Sequence, residues 1–374
     1  MKRERDRPIV AELQQKAGNA LFWIRHCSAL AVLIGHSYVM LGIRAPAIFG
    51  ESIHILAIKV FFIVSGYLVC KSWERDKNPL RYLMKRSLRI FPALAVLIVV
   101  TAVFLGPLVT HLGFHDYFSS PDFGLYFWNI ALAPDYRLPG VFTELAPNDS
   151  VNGSLWSLPV EFAMYLLVPI FAWAKGPPWR KAINVATVSI LFLASWYFQT
   201  GGGNRVTPIF YWTSIPFALQ VAAFFACASW YQSFGLDRFL NVQVALALAI
   251  AMQMFTQSNV SNELVVLLAL PYIVLSLSTA PGTMFASAER FGDTSYGIYL
   301  YAFPVQQCLL LLLGRNIHPI LLSAAAIPIA FACAAASWHA VEKRALNWKP
   351  RGLVQIANTV SQIGTPAGDA TAAG

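Results

Sequence analysis

Charge is scarce in this chain. Only 12% of its 374 residues are Asp, Glu, Lys or Arg, whereas a soluble domain carries about a quarter. Another 57% are hydrophobic, and such a balance excludes an ordinary soluble enzyme and points to an integral membrane protein. Cysteine is also scarce: Cys27, Cys70, Cys227, Cys308 and Cys333 lie in or beside apolar segments, with no CxxC spacing. A disulfide framework and a metal knuckle are thereby excluded, and no metal is expected. Acidic residues number 18 against 27 Lys and Arg, yet the basic residues gather in alternate loops instead of on one surface. The expected partner is therefore the lipid bilayer and not nucleic acid. No internal repeat is found, and Gly201, Gly202 and Gly203 fit no phosphate-loop pattern, so they read as a tight outer connection.

Long apolar runs are what the chain has in abundance. At about 20 apolar residues per span, candidates run near 20–41, 53–71, 88–110, 154–174, 183–199, 208–231, 240–256, 263–280, 294–313 and 319–341. The expected fold is an all-α integral membrane domain of about ten transmembrane helices. Arg3, Arg5, Arg7 and Lys16 precede the first span, and Lys71, Arg75, Lys77, Arg81, Lys85, Arg86 and Arg89 follow the second. Lys175, Arg180 and Lys181 follow the fourth, and Lys343, Arg344, Lys349 and Arg351 the tenth. The same side is basic throughout, which predicts that both termini are cytoplasmic.

The first apolar stretch is too long for a signal h-region and lacks a small-residue cleavage site, so it is expected to remain as a membrane helix. The expected divisions are a cytoplasmic segment at 1–19, one membrane domain at 20–345 and a disordered cytoplasmic tail at 346–374. The longest outer loop, 111–153, carries Asp116, Asp122, Asp135, Glu144 and Asp149 against Arg137. Its aromatic run Tyr126, Phe127 and Trp128, with turns at Pro134, Pro139 and Pro147, predicts a structured cap.

Ionisable residues inside apolar segments mark candidate chemistry, because hydrocarbon penalises them unless they face a cavity, a partner or a substrate path. Arg25 and His36 are eleven residues apart, which in an α-helix returns to nearly the same face ~16 Å further on. An imidazole suits proton abstraction from a hydroxyl, although a buried histidine bonded to a neighbouring helix fits the position equally. Arg25 also reads as an interfacial, snorkelling arginine. Glu161 in the fourth span lies at a depth near that of His36, where it either orients the imidazole or pairs with Lys59 of the second span. Pro159 just before it should free a helical carbonyl.

Lys85, Arg86 and Arg89 form a cationic cluster with Arg86 and Arg89 on one helix face, which suits phosphates and also suits simple anchoring at the inner surface. Ser65 and Gly66 read as a close-packing site before a nucleophile. His111 and Asp116 match an H-x4-D spacing but fall in the outer loop, away from any cytosolic donor.

Several segments in order resemble the membrane-bound acyltransferase-3 family, which O-acylates bacterial surface glycans. They are Arg25, ten residues and His36; VFFIVSGYL at 60–68; KRSLRIFP at 85–92; SLWSLPVEFAMYLLVP at 154–169; FGDTSYGIYLYAFPV at 291–305; and the late Glu342. The resemblance implies a bacterial inner-membrane O-acetyltransferase that uses acetyl-CoA, or another acyl-CoA, as co-substrate and a carbohydrate hydroxyl as acceptor. It makes His36 the catalytic histidine, with Arg25 as its companion, and Arg86 with Arg89 a phosphate-binding pair; Glu161 joins the catalytic candidates by its depth, and Lys85 the donor-binding set by its place in the cluster. Trp156, Lys59 and Tyr301 are then the acceptor-binding candidates. One departure stands out: Ala302 occupies a position where many members have histidine, so that the role of that histidine is either absent here or taken by Gln306 or Gln307. A polytopic transporter or flippase for a glycan or lipid-linked sugar is the competing expectation. Oligomeric state is left open.

Overall fold

The computed structural model describes residues 2–145, 149–171, 178–199, 209–211, 213–255, 262–279 and 292–349. Each of the ten apolar segments coincides with a helix. They are α1 (Lys2–Met40), α2 (Ile53–Arg75), α3 (Pro79–Val100), α4 (Ser157–Phe171), α5 (Pro178–Gln199), α6 (Ile215–Ser233), α7 (Val242–Phe255), α8 (Asn262–Leu277), α9 (Ser295–Leu313) and α10 (Pro319–Ser337). Five continuous helical stretches among the described residues are long and apolar enough to cross a membrane: Ile53–Arg75, Pro79–Val109, Pro178–Gln199, Ser295–Leu313 and Pro319–Leu346. The α7 and α8 helices are apolar but shorter. Helix α1 begins well before residue 20, so the polar leader and the first apolar stretch form one rod. The expectations for the tail beyond 349, for Gly201, Gly202 and Gly203, and for Pro147 and Lys175 lie outside the described residues.

Helix starts follow local chemistry. Helices α3, α5 and α10 each begin on a proline, whose missing N–H is one the first turn leaves unpaired anyway. Asn78 caps α3 by accepting the Arg81 N–H at 3.0 Å. Pro159 sits in the first turn of α4 and frees no carbonyl inside a helix, contrary to expectation; the Leu155 carbonyl instead accepts the Ser157 N–H. Two antiparallel ribbons, β1 (Ala47–Ile48) with β2 (Glu51–Ser52) and β3 (Ile209–Phe210) with β4 (Thr213–Ser214), close two of the turns. Ala47 pairs with Ser52 and Ile48 with Glu51, and the tight turn between them places Phe49 and Gly50 at positive φ.

Helix α2 is the centre of the packing, held between α1 and α6. Gly66 marks a close approach, as expected of the Ser65 and Gly66 pair: a Cβ on Gly66 would stand 2.2 Å from the Phe225 carbonyl oxygen of α6, whereas Ser65 turns to α4 and the cavity. Helices α9 and α10 form a second close pair, with Gly297 set directly against Ala334.

The cap is structured. Short helical turns at Phe114–Ser119, Pro121–Leu125 and Tyr126–Ala131 gather Tyr117, Phe118, Phe123 and Phe127 edge to face. The Tyr117 hydroxyl donates to the Ala102 carbonyl at 2.7 Å, where the wide π-turn Thr101–Leu105 that continues α3 loosens the helical ladder. The next stretch of the loop descends onto α9: Asn152 Nδ2 donates to the Leu300 carbonyl at 2.9 Å, and Gln307 Nε2 to the Ser150 carbonyl at 2.7 Å.

Candidate functional site

A cavity of about 350 Å³ opens among α1, α2, α3, α4 and α9. Arg25, Lys85, Arg86, Arg89 and Lys349 make one end basic. Phe61, Phe62, Leu68 and Val69 of α2 and Ile90 of α3 form apolar walls, and Ser65, Glu161 and Tyr165 form a polar strip. Ser157, at the start of α4, and Tyr299, one turn into α9, also line it. Ser157 Oγ and the Tyr299 hydroxyl are 2.6 Å apart, and Tyr299 also donates to the Ser154 carbonyl at 2.8 Å.

The cations at the basic end are not equivalent. Arg25 is paired with Asp293, and Arg89 Nη2 lies 2.7 Å from the same carboxylate. Ser295 Oγ donates to the other Asp293 oxygen at 2.6 Å. Next to it, Thr294 Oγ1 is 3.0 Å from His26 Nε2, fastening the start of α9 to α1. Arg89 Nη1 also lies 3.9 Å from Glu342 Oε2. Glu342 ends a π-turn, Trp338–Glu342, that continues α10, and it accepts from Ser337 Oγ at 3.2 Å. Lys85 bonds Asp76 at 2.9 Å, and Arg81 grips the same carboxylate through Nη2 at 2.7 Å. These hydrogen bonds from Arg81 and Lys85 hold the Asp76 carboxyl well below the usual carboxylate range.

Arg86 differs. Its guanidinium lies over the Tyr165 ring at 5.9 Å, and its buried Nε has no hydrogen-bond partner among the described residues. Lys349, an exposed residue just past the last helical turn, has its amine pulled down to about 8 by partial desolvation at the cavity mouth and then by Arg89, Arg86 and Lys85. Of the expected set Arg86, Arg89 and Lys85, all three line the cavity, but Arg86 alone has no acidic partner among the described residues. Lys349 joins it as a fourth cation that the sequence reading did not single out.

His36 stands beyond the far end of the cavity. Its ring packs edge-on against Phe303 at 5.3 Å and lies 5.6 Å from the ring of His54. Phe303 follows Tyr299 by one turn of α9, about 6 Å along the axis. Arg25 and His36 thus bracket the cavity lengthwise.

Glu161 does not orient the imidazole and does not pair with Lys59. Its Oε1 accepts from Ser65 Oγ at 3.2 Å and from the Tyr165 hydroxyl, while His36 Nδ1 is buried with no hydrogen-bond partner among the described residues. The α4 register turns Glu161 toward α2 and the cavity, one turn from Tyr165, which explains the difference.

None of the three acceptor-binding candidates lines the cavity. Lys59 is fully buried, bonded to Glu51 at 2.5 Å and seated over the Phe224 ring at 5.0 Å, where it ties the first ribbon to α2. Trp156 packs at 6.1 Å from Phe217. Tyr301 points from α9 toward Ser337 of α10. Two positions away along α9, Tyr299 takes the place facing the cavity. Ala302 is buried in a small-residue contact with Leu33, Ala326 and Ala330. Gln306 Nε2 donates to the Leu33 carbonyl at 2.8 Å and to Ser37 Oγ at 2.6 Å, so it braces α1, while Gln307 holds the loop. His111 bonds the Gly140 carbonyl at 2.9 Å, whereas the exposed Asp116 lies beside His115, so the H-x4-D spacing makes no paired site. No group of metal-ligating residues is found among the described residues.

Asp293 escaped the sequence reading although it is an acid at the mouth of an apolar run, and that signal could have found it. Lys349, Ser157, Tyr165 and Tyr299 carry no comparable mark.

A family model described as an acyltransferase domain matches residues 19–339. The O-acetyl transferase of Shigella phage Sf6 is 30% identical over 334 residues, covering 86% of this chain and 94% of the relative. Nodulation protein 10 of Rhizobium leguminosarum bv. viciae is 25% identical over 77% of this chain and 82% of its own length. The O-acetyltransferase OatA of Staphylococcus aureus strain NCTC 8325 is 23% identical over 71% of this chain, which spans about half that relative (49%). No solved structure matches. The transporter expectation finds no support in these comparisons.

Proposed function

Because this chain belongs to the acyltransferase-3 family and is an acyltransferase of non-aminoacyl groups, we propose that it moves an acetyl group from acetyl-CoA to a hydroxyl of a cell-surface or exported glycan at the bacterial inner membrane. One observation carries the reading: a cavity with a surplus of cations at one end runs along apolar walls to within one helical turn of the Phe303 and His36 contact. A nucleotide-linked thioester has matching parts. Arg86 and Lys349 suit its phosphates, and Phe61, Phe62 and Leu68 suit its extended arm. The expected topology, ten spans in a 20–345 domain with both termini cytoplasmic, sets the basic end on the donor side.

In this mechanism the thioester lies between Tyr299 and His36. His36 takes the proton of the sugar hydroxyl as that oxygen attacks the thioester carbonyl. The carbon–sulfur bond breaks, and the leaving thiolate takes the proton back from His36. Arg25 and Arg89, held by Asp293, position the floor of the cavity. Glu161, Ser65 and Tyr165 shape its side.

Vesicles containing the wild-type protein should transfer label from radiolabelled acetyl-CoA to envelope glycan of cells lacking it, and His36→Ala should abolish this while the protein stays folded in the membrane. Full transfer by His36→Ala would overturn the assignment of the base. Glycan movement without acylation would overturn the reaction.

A further inference from the structure

A second imidazole stands beside His36 and has no role in the mechanism above. His54 occupies the first turn of α2, and its ring centroid lies 5.6 Å from that of His36, with the planes tilted by 50°. The contact is built into the backbone. Gly35 precedes His36 on α1, and a Cβ there would stand 2.5 Å from His54 Cβ and 2.8 Å from its Nδ1. Glycine therefore clears the space in which His54 meets α1.

Both rings are half-buried, and the Nδ1 atoms of both are enclosed with no hydrogen-bond partner among the described residues. A structural histidine in an apolar helix pair normally spends its nitrogens on neighbouring carbonyls or hydroxyls, as His26 does with Phe22 and Thr294. His36 and His54 keep that capacity unspent, side by side, beyond the far end of the cavity, with His36 on the Phe303 ring against which Gly153 of the descending loop closes.

We infer that His54 is an acceptor-binding residue, recognising a hydroxyl that neighbours the one His36 deprotonates. The inference rests on the proposed transfer to a glycan and names its acceptor class: a sugar presenting two adjacent hydroxyls. Two imidazoles at this separation fit such a pair, one hydroxyl to each ring, and a lone alcohol engages only one. His54 forms no covalent bond and moves no proton in the transfer. Its hydrogen bond fixes which oxygen faces His36.

The test uses the full chain in vesicles, with radiolabelled acetyl-CoA as donor and, as acceptor probe, envelope glycan from cells lacking the protein. His54→Phe keeps the ring shape and removes the hydrogen bond. It should raise the acceptor KM about tenfold or more, the size of one lost hydrogen bond in a desolvated site, with kcat changed by less than about threefold and acetyl-CoA affinity unchanged. His54→Gln should recover part of the loss. Mild periodate treatment of the probe, which cleaves adjacent diols, should remove acceptor activity.

An unchanged acceptor KM in His54→Phe, a weakened donor affinity, or a fully active periodate-treated probe would each overturn the role. A wild type that transfers no acetyl would instead overturn the reading beneath it. Because a variant at a helix contact can misfold, each protein is first shown to be monodisperse, and Gly35→Ala serves as a second route. Its Cβ displaces the His54 ring without removing either imidazole, so it should reproduce the KM effect. A Gly35→Ala protein with wild-type acceptor KM would count against the proposal.

Discussion

Arg89 and Asp293, far apart in the sequence, meet at 2.7 Å, and the carboxylate oxygen that receives Arg89 also receives Arg25. One acid thereby joins α1, α3 and the start of α9 at the basic end of the cavity. Removing one member of a partly buried charge group strands the others, which costs ~3 kcal/mol or more. Asp293→Asn should therefore lower the melting temperature of the detergent-solubilised protein by several degrees, read by fluorescence-detected gel filtration after heating. An unchanged melting point would show that Arg25 and Arg89 do not depend on this carboxylate.

Arg86 and Arg89 share a helix face but not a role. Arg86→Ala should weaken acetyl-CoA binding about tenfold, about 1.4 kcal/mol, and leave the melting temperature within about a degree of wild type. Arg89→Ala should lose both donor affinity and thermal stability, because it also empties one side of Asp293. Scintillation proximity binding alongside thermal melts separates the two, and parallel effects of the two substitutions would refute the division.

Lys349 supplies a pH dependence. Partial desolvation and the neighbouring Arg89, Arg86 and Lys85 bring its amine to about 8 in the free protein, and a bound polyanion favours the charged form and so raises that value. Donor affinity should consequently hold below about pH 8 and fall as the pH rises through and beyond it. Lys349→Arg, charged throughout, should flatten the profile, and Lys349→Met should lower affinity at neutral pH with little further change up to pH 9. A wild-type profile flat from pH 7 to 9 would remove Lys349 from donor binding.

Lys59 is a structural charge. Lys59→Met or Glu51→Gln alone should destabilise, Glu51→Gln the more severely because it leaves a fully buried ammonium unpaired, at a cost of about 3–5 kcal/mol. The double variant should recover much of the loss. A double-mutant cycle on thermal melts that shows simple additivity would mean the pair is uncoupled.

Helix positions and the basic cluster were legible because they rest on hydropathy and charge patterns local in sequence. The Gly66 contact was legible for the same reason: a small residue inside an apolar run permits close approach wherever it falls. Glu161 could be placed at a depth but not on a face, since depth follows from counting residues while facing depends on where a helix starts to turn. The 3-10 turn Gly153–Trp156 ahead of α4 shifts that phase. Lys59, read as a neighbour of Glu161, finds Glu51 eight residues back in the ribbon that precedes its own helix. The Arg25, Arg89 and Asp293 grouping joins three distant stretches, and no spacing rule could announce it.

The π-turn Trp338–Glu342 gives the basic end a sensitivity of another kind. A wide turn accommodates one residue more than the α-helical ladder would, and each residue carries about 100° of rotation. Losing one residue there would let the ladder close as an ordinary helix and swing Glu342 away from Arg89, even with every side chain of the site intact. The acid's placement is thus encoded by the number of residues before it as much as by their identity. A single-codon deletion in this stretch, harmless to composition and hydropathy alike, would act on the site as a point mutation of Glu342 would.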